Sequence, residues 1–260
     1  MKNNIHSYDI LGNIALVRFP EDFKQKEKKK FAEKILEEQK GIRTVLEKIG
    51  KIKGRLRKLS TKFVAGENTK EVLYKENGCV FRFNIDKTYF SPRLSNERKE
   101  IASMIRKGEN VLVMFAGVAP FSIVIAKNSL AKKVYSNEIN REANKYAELN
   151  IKLNKLKDKI ELVNGDAKKL PEKLKQRFDV IVMPRPQLKD SFLKKAFSLS
   201  KKGTRIYYYD FCKENEIDSI VEMIKKEASN AKKKINILKV KRAGELSPSK
   251  IRLRVDFQIL

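Results

Sequence analysis

Beyond residue 90 the chain alternates two hydrophobic patterns at short, regular intervals. Runs of consecutive apolar residues, VLVMF from Val111 to Phe115 and VIVM from Val180 to Met183 among them, read as strands buried on both faces. Between them stand segments with one apolar face, which read as helices. The expected order is strand Val111 to Phe115, helix Pro120 to Asn128, strand Lys133 to Ser136, helix Arg141 to Leu153, strand Ile160 to Val163, a helix from about Ala167, and strand Val180 to Met183. A helix near Asp190 to Ser198, strand Thr204 to Phe211, helix Glu214 to Ala228 and two closing strands, Ile235 to Arg242 and Ile251 to Ile259, complete it. This alternation specifies an α/β fold with a parallel sheet covered on both faces. With no helix between them, the last two strands are expected to pair antiparallel at one edge.

The first 90 residues pattern differently. SYDILGNIALVRF, residues 7 to 19, reads as a β-hairpin turning at Gly12 and Asn13. From Phe23 to about Gly50 the spacing of Phe31, Ile35, Ile42, Val45, Leu46 and Ile49 predicts a charged helix with one core-facing stripe, divided or bent at Gly41. Lys51 to Asp86 is β-like, punctuated by Gly54, Gly66 and Gly78. Pro92 is expected to stop the last of these strands, and Ser95 or Asn96 to cap a helix running to about Lys107. Residues 1–90 therefore form a small α+β domain, and 91–260 the α/β domain.

Charge changes the picture. The 59 Lys and Arg against 32 Asp and Glu leave a net charge of +27, spread along the chain. A charge of that sign points to a polyanion, most simply nucleic acid. Cys79 and Cys212 are far apart with no CxxC spacing, so neither a zinc site nor a disulfide framework is indicated. His6 has no triad partners around it and reads as structural or incidental. No stretch approaches the roughly 18 uninterrupted apolar residues of a membrane span, and the start lacks a signal-peptide core.

Candidate chemistry centres on VLVMFAGVAPFSI, residues 111 to 123. A strand meets the small residues Ala116 and Gly117, and Pro120 then suits the first turn of a helix. In an open α/β sheet that junction lies at the carboxyl end of the first strand, where backbone can approach a ligand. Glu138 lies 21 residues after Gly117, placed to hold ribose hydroxyls. Asp166, in NGDA, is placed to accept from an adenine amino group. Each acid alone also fits a loop or helix cap; in order at strand ends they favour an adenosine-bearing cofactor. G-x-G-x-x-G and the GxxxxGK[ST] phosphate loop are both absent.

This layout resembles the S-adenosylmethionine-dependent class I methyltransferases. YFSPRLSNER, MFAGVAPFSI, VYSNEIN, ELNIKLNK and NGDA, with SYDILGNIALVRFP and FVAGEN near the start, are similar to the archaeal and eukaryotic tRNA guanine-N1 methyltransferases acting at anticodon-loop position 37. The resemblance implies a Rossmann-like, seven-stranded, mostly parallel sheet with an antiparallel last strand, plus a small N-terminal domain touching tRNA. It implies S-adenosyl-L-methionine held by Phe115, Gly117, Val118, Pro120, Phe121, Glu138, Asp166 and Pro184, and no metal. Removing the guanine N1 proton calls for a base, and charge gathering toward O6 for a cation. The matching positions are Glu97 and Arg57 respectively. Tyr89, Arg93 and Arg98 would shape the nucleotide pocket or hold phosphates. The expected partner is the tRNA anticodon loop, and the expected enzyme a cytoplasmic monomer.

Three positions depart from the family pattern. Val113 stands for an Asp and Ala119 for a Gly, changes expected to weaken or reshape cofactor binding. MPRPQ, Met183 to Gln187, stands for an Asn-Leu-Pro or Asn-Pro-Pro motif, replacing an amide that could grip the base with Pro184. A reshaped loop there would suit methylation of a carbon of a wyosine intermediate at the same position. The chain also begins too late to hold the extra N-terminal domain of archaeal relatives. Two other readings stay open: aminocarboxypropyl transfer in wyosine synthesis, and a non-catalytic tRNA-binding protein on a decayed methyltransferase fold.

Overall fold

The computed structural model describes residues 8–53, 58–247 and 249–260. The chain divides into two compact units, Met1–Pro92 and Arg93–Leu260.

In the first unit, β1 (Asp9–Leu11) and β2 (Ile14–Val17) form the expected antiparallel hairpin. Helix α1 (Gln25–Glu38) crosses over to β3 (Thr44–Lys53), which lies parallel to β2 and antiparallel to β4 (Lys58–Gly66). The helix expected to reach Gly50 thus ends at Glu38, and residues from Thr44 onward are strand. Thr44, Val45 and Leu46 are buried consecutively, as a strand inside a sheet requires. An apolar run this short fits either period, and pairing on both sides decided it. Ala32 and Ile35 of α1 close the core over Ala15, Val17, Val45 and Val64.

A second hairpin, β5 (Glu71–Glu76) and β6 (Cys79–Asn84), stands beside this sheet. The side-chain amide of Asn13 replaces a strand neighbour for it, accepting from Leu73 N–H at 2.7 Å and donating to the Glu71 carbonyl at 3.2 Å. Strand β6 stops at Asn84, before Pro92, because the Asn84 side chain accepts from the N–H groups of Asp86 and Lys87 and turns the chain.

Pro92–Leu94, at the boundary of the two units, forms a 3₁₀ turn leading into α2 (Ser95–Ser103) of the second. Ser95 is the first helical residue, Leu94 holds the cap position, and the helix ends at Ser103, short of Lys107. Then follow β7 (Asn110–Val113), α3 (Pro120–Asn128), β8 (Lys133–Glu138), α4 (Arg141–Leu153), β9 (Ile160–Asn164), α5 (Leu170–Lys173), β10 (Phe178–Met183) and α6 (Leu193–Ser198). Strand β11 (Ser200–Cys212), α7 (Ile217–Asn230), β12 (Ile235–Ser247) and β13 (Lys250–Ile259) complete it.

The seven strands lie in the order β12-β13-β11-β10-β7-β8-β9. Every neighbouring pair from β11 to β9 is parallel, and only β13 runs against the rest. This is the sheet the sequence implied. After β7 the chain builds outward to β8 and β9, then returns to β7's other side for β10. That reversal opens a crevice at the carboxyl ends of β7 and β10. Among the described residues no helix is long and apolar enough to cross a membrane.

Gly12 holds φ +58°, and an added Cβ would lie 2.0 Å from the Leu73 carbonyl oxygen. Gly12→Ala must therefore move β5 away from the first hairpin. We expect a loss of about 1–3 kcal/mol, read as a lower urea midpoint.

Candidate active site

The junction after β7 is a tightly coiled loop. Phe115, Gly117 and Ala119 have φ of 58°, 59° and 67°. Ala116 N–H donates to the Asn137 carbonyl at 2.8 Å, and Ala119 N–H to the Ala116 carbonyl at 3.0 Å. Ala119 is the N-cap of α3, and Pro120 opens the helix. An alanine keeps this left-handed cap at a cost of about 1–2 kcal/mol relative to glycine, so the departure at 119 leaves the turn in place. Val113 is fully buried between Ser136 of β8 and Val182 of β10. Val118 and Phe121 are buried, while Phe115 packs edge-on against Phe192 with centroids 5.0 Å apart.

Glu138 ties this loop to the neighbouring strands. Its Oε2 accepts from Gly117 N–H at 2.8 Å, and its Oε1 accepts from Ile139 and Asn140 N–H at 2.9 and 2.7 Å. Its carbonyl accepts from Gly165 N–H at 2.8 Å. One residue thus links the ends of β7, β8 and β9, its carboxylate reaching the first two and its backbone carbonyl the third. Asp166 caps the next turn, accepting from Lys168 N–H at 2.9 Å. The two acids do stand at successive strand ends, as an adenosine-bearing group requires, and each also does the local capping work.

Pro184 is half-buried after β10, and Arg185 beside it is buried. Arg185 pairs with Asp210 and donates to the Leu188 and Asp190 carbonyls at 2.6 and 2.9 Å. Its guanidinium lies over the Tyr208 ring at 5.5 Å, and Tyr208 donates to Asp210 at 2.8 Å. The MPRPQ segment is thereby anchored to β11.

Glu97, in the first turn of α2, is 5% exposed. Its Oε2 accepts from the Tyr209 hydroxyl at 2.9 Å and from Arg254 Nη1 at 2.7 Å; its Oε1 faces Lys241 Nζ at 2.8 Å. Arg254, fully buried in β13, also donates to Glu100 at 2.7 Å and, through Nε, to Asp256 at 2.8 Å. Burial pushes the Tyr209 hydroxyl well above its usual range, with the Glu97 charge adding to it, so it stays a donor. Tyr209 also meets Phe121 at 5.9 Å between centroids. Glu97 is therefore one aromatic ring away from the first turn of α3.

Of the remaining predicted residues, Arg98 is buried with its guanidinium 5.7 Å from the Phe121 ring centroid. Arg93 is exposed, and Tyr89 is half-buried in the first unit. Arg57 lies outside the described residues, as do His6 and Gly54. Cys79 and Cys212 are buried free thiols. Sequence reasoning missed Arg254, Lys241 and Tyr209, which reach Glu97 from 112 to 157 residues downstream.

A seven-stranded sheet of this order, with acids at the ends of its second and third strands, defines a class I methyltransferase. Residues 72–238 match the TRM5/TYW2 methyltransferase domain, and residues 1–69 the TYW2 N-terminal domain. The chain belongs to the TRM5/TYW2 methyltransferase family. It is 36% identical to tRNA (guanine(37)-N(1))-methyltransferase Trm5b of Pyrococcus abyssi, over 97% of this chain and 74% of that protein. It is 33% identical to tRNA (guanine(37)-N(1))/4-demethylwyosine(37)-methyltransferase Taw22 of Nanoarchaeum equitans, over 98% of this chain and all of that one. The structure of aTrm5 in complex with tRNALeu superimposes with a TM-score of 0.85 at 30% identity, covering 98% of this chain and 72% of that one.

The ion cluster should be visible in acid. The hydrogen bond from Arg254, aided by Lys241 and opposed by burial, holds the Glu100 carboxyl down at about 2 against a usual 4.5. Its stabilisation is full above the usual value and is lost as pH falls through the folded one. Burial raises Asp256, the Arg254 bond only partly countering it, so protonating Asp256 offsets part of the loss. Glu100→Gln should flatten the fall in unfolding free energy between pH 4.5 and 2 by on the order of 1–3 kcal/mol, the upper figure being discounted for solvent screening. Denaturant midpoints measured across that range check it.

Proposed function

We propose that this protein transfers the methyl group of S-adenosylmethionine to N1 of guanosine 37 in the anticodon loop of tRNA, as a cytoplasmic monomer. The observation that carries the reading is Tyr209, which touches both Glu97 and Phe121. It brings a candidate base beside the loop that would hold the cofactor. Family membership and the two relatives named above supply the reaction, and the aTrm5 complex supplies tRNA as partner.

When bound, the cofactor supplies an electrophilic methyl group on sulfur. Phe115, Gly117, Val118, Pro120, Phe121 and Pro184 would line its site, with Glu138 toward the ribose and Asp166 toward the adenine. Glu97 would accept the N1 proton as the new N–CH₃ bond forms. Tyr209 and Arg254 hold Oε2, and the guanidinium of Arg254 cannot itself be deprotonated. Oε1 is the working oxygen: its partner Lys241 is 29% exposed, whereas Arg254 is fully buried, so Lys241 is the partner that can give way. By family resemblance Arg57 is the candidate cation for O6, and Tyr89 and Arg93 are the candidates for contacting tRNA. The target base must leave its stack to reach such a site.

The match across the full length of Taw22 and the Arg185-anchored MPRPQ segment favour a second activity on the same site, methylation of 4-demethylwyosine.

Incubation with methyl-labelled cofactor should label unmodified tRNA as 1-methylguanosine, identified by nucleoside mass spectrometry, and precursor-bearing tRNA at the wyosine base. Transfer of carboxypropyl label instead would assign the aminocarboxypropyl reaction, and no transfer would leave a tRNA-binding protein. Glu97→Gln should lower turnover by about 10²- to 10⁴-fold with cofactor affinity unchanged by calorimetry. Glu138→Ala should weaken cofactor binding by about tenfold or more; equal affinity would remove its ribose role.

A further inference from the structure

The basic excess of the second unit is not spread evenly over it. Six segments lie at the amino edge of the parallel strands, five connections and the start of β11, and each carries lysine or arginine: 106–107, 132, 155–159, 175–177, 201–202 and 232–234. Acids at this edge are already taken, Glu109 by Arg205, Asp179 by Lys201 and Glu161 by Lys133. Among the described residues of these connections that leaves Asp158 as counter-charge. Lys107, Lys175, Arg177 and Lys202 are exposed and make no ion pair with a described residue.

The carboxyl edge is mixed in sign: after β10 and β11, Lys189 and Lys213 stand among Asp190, Glu214 and Glu216. The loop 114–119 after β7 has no charged residue, 139–140 after β8 has none, and the turn after β9 has only Asp166. On the helices, Lys145 pairs with Glu142, Lys152 with Glu148 and Lys225 with Glu222. A general enrichment in surface charge would mix signs at both edges. At the amino edge positive residues outnumber the acids instead.

We propose that this amino edge is a second RNA-binding surface, independent of sequence, that grips sugar-phosphate backbone. Its being second rests on reading the carboxyl edge as the catalytic side. Seven strands at about 4.8 Å spacing make an edge about 29 Å long, and strands of five or six residues set the two edges about 16–20 Å apart. A base delivered to the carboxyl edge does not place its own phosphates on the opposite one. Exposed lysine and arginine neutralise phosphate, and contacts of that kind carry no base sequence.

The test uses the whole chain with Lys107, Lys175, Arg177 and Lys202 all changed to Glu, and a second set changed to Gln, each checked by thermal unfolding. The probe is an unrelated RNA duplex of about 16 base pairs, titrated at several salt concentrations. We expect both sets to bind it more weakly, with the logarithmic salt slope shallower by about 3. Methylation of saturating tRNA should be unchanged in both, and excess duplex should not inhibit the unaltered protein. Unchanged duplex binding in both sets, or duplex that displaces substrate tRNA from the unaltered protein, would overturn the proposal. Failure of the unaltered protein to methylate tRNA would overturn the proposed reaction and leave the duplex measurement standing.

Discussion

A single arginine organises the second unit. Arg254 sits fully buried in β13 and meets three carboxylates, from Glu97, Glu100 and Asp256. A buried guanidinium is tolerable only when its donors are satisfied, since an uncompensated charge costs several kcal/mol. Satisfying it draws α2 onto the antiparallel end of the sheet and sets Glu97 beside Tyr209. The reversed strand β13 is thus more than an edge: it supplies the cation that fixes the carboxylate on which the proposed chemistry depends. Lys241 of β12 adds a second, more exposed cation, giving the cluster one rigid side and one yielding side.

The loop after β7 depends on a comparable economy. Glu138 holds three backbone N–H groups with one side chain, so the acid expected to face a ribose also keeps the loop in shape. Left-handed conformations at Phe115 and Ala119 are strained for side chains other than glycine. They persist because hydrogen bonds from β8 determine the turn from outside. Function and stability share residues here, and a substitution at Glu138 alters both.

Sequence reading was most successful where periodicity is long and local. Helices α3 and α4 were legible to their end residues because proline at N1 and asparagine at the cap mark their starts. The alternation of strand and helix was enough for a parallel sheet with an antiparallel pair at one edge. Reading failed at residues 44–50, where a few apolar residues fit both helix and strand, and at the end of α2, where nothing in the local pattern marks Ser103 as the stop. The site divides in the same way: the loop residues, Glu138 and Asp166 lie in order along consecutive strand ends, whereas the partners of Glu97 lie far downstream and carry no local signal.

What the sequence by itself determined is therefore the α/β class, the order of its elements, the family resemblance and the acids at strand ends. These follow from short-range period, capping chemistry and spacing. Only the tertiary structure decided that Arg254, Lys241 and Tyr209 converge on Glu97, that Arg185 is buried against Asp210, and that the unpaired positive charge lines one edge. Each is a long-range placement made by sheet order, and a buried charge finds its partners through the packing that excludes water from it.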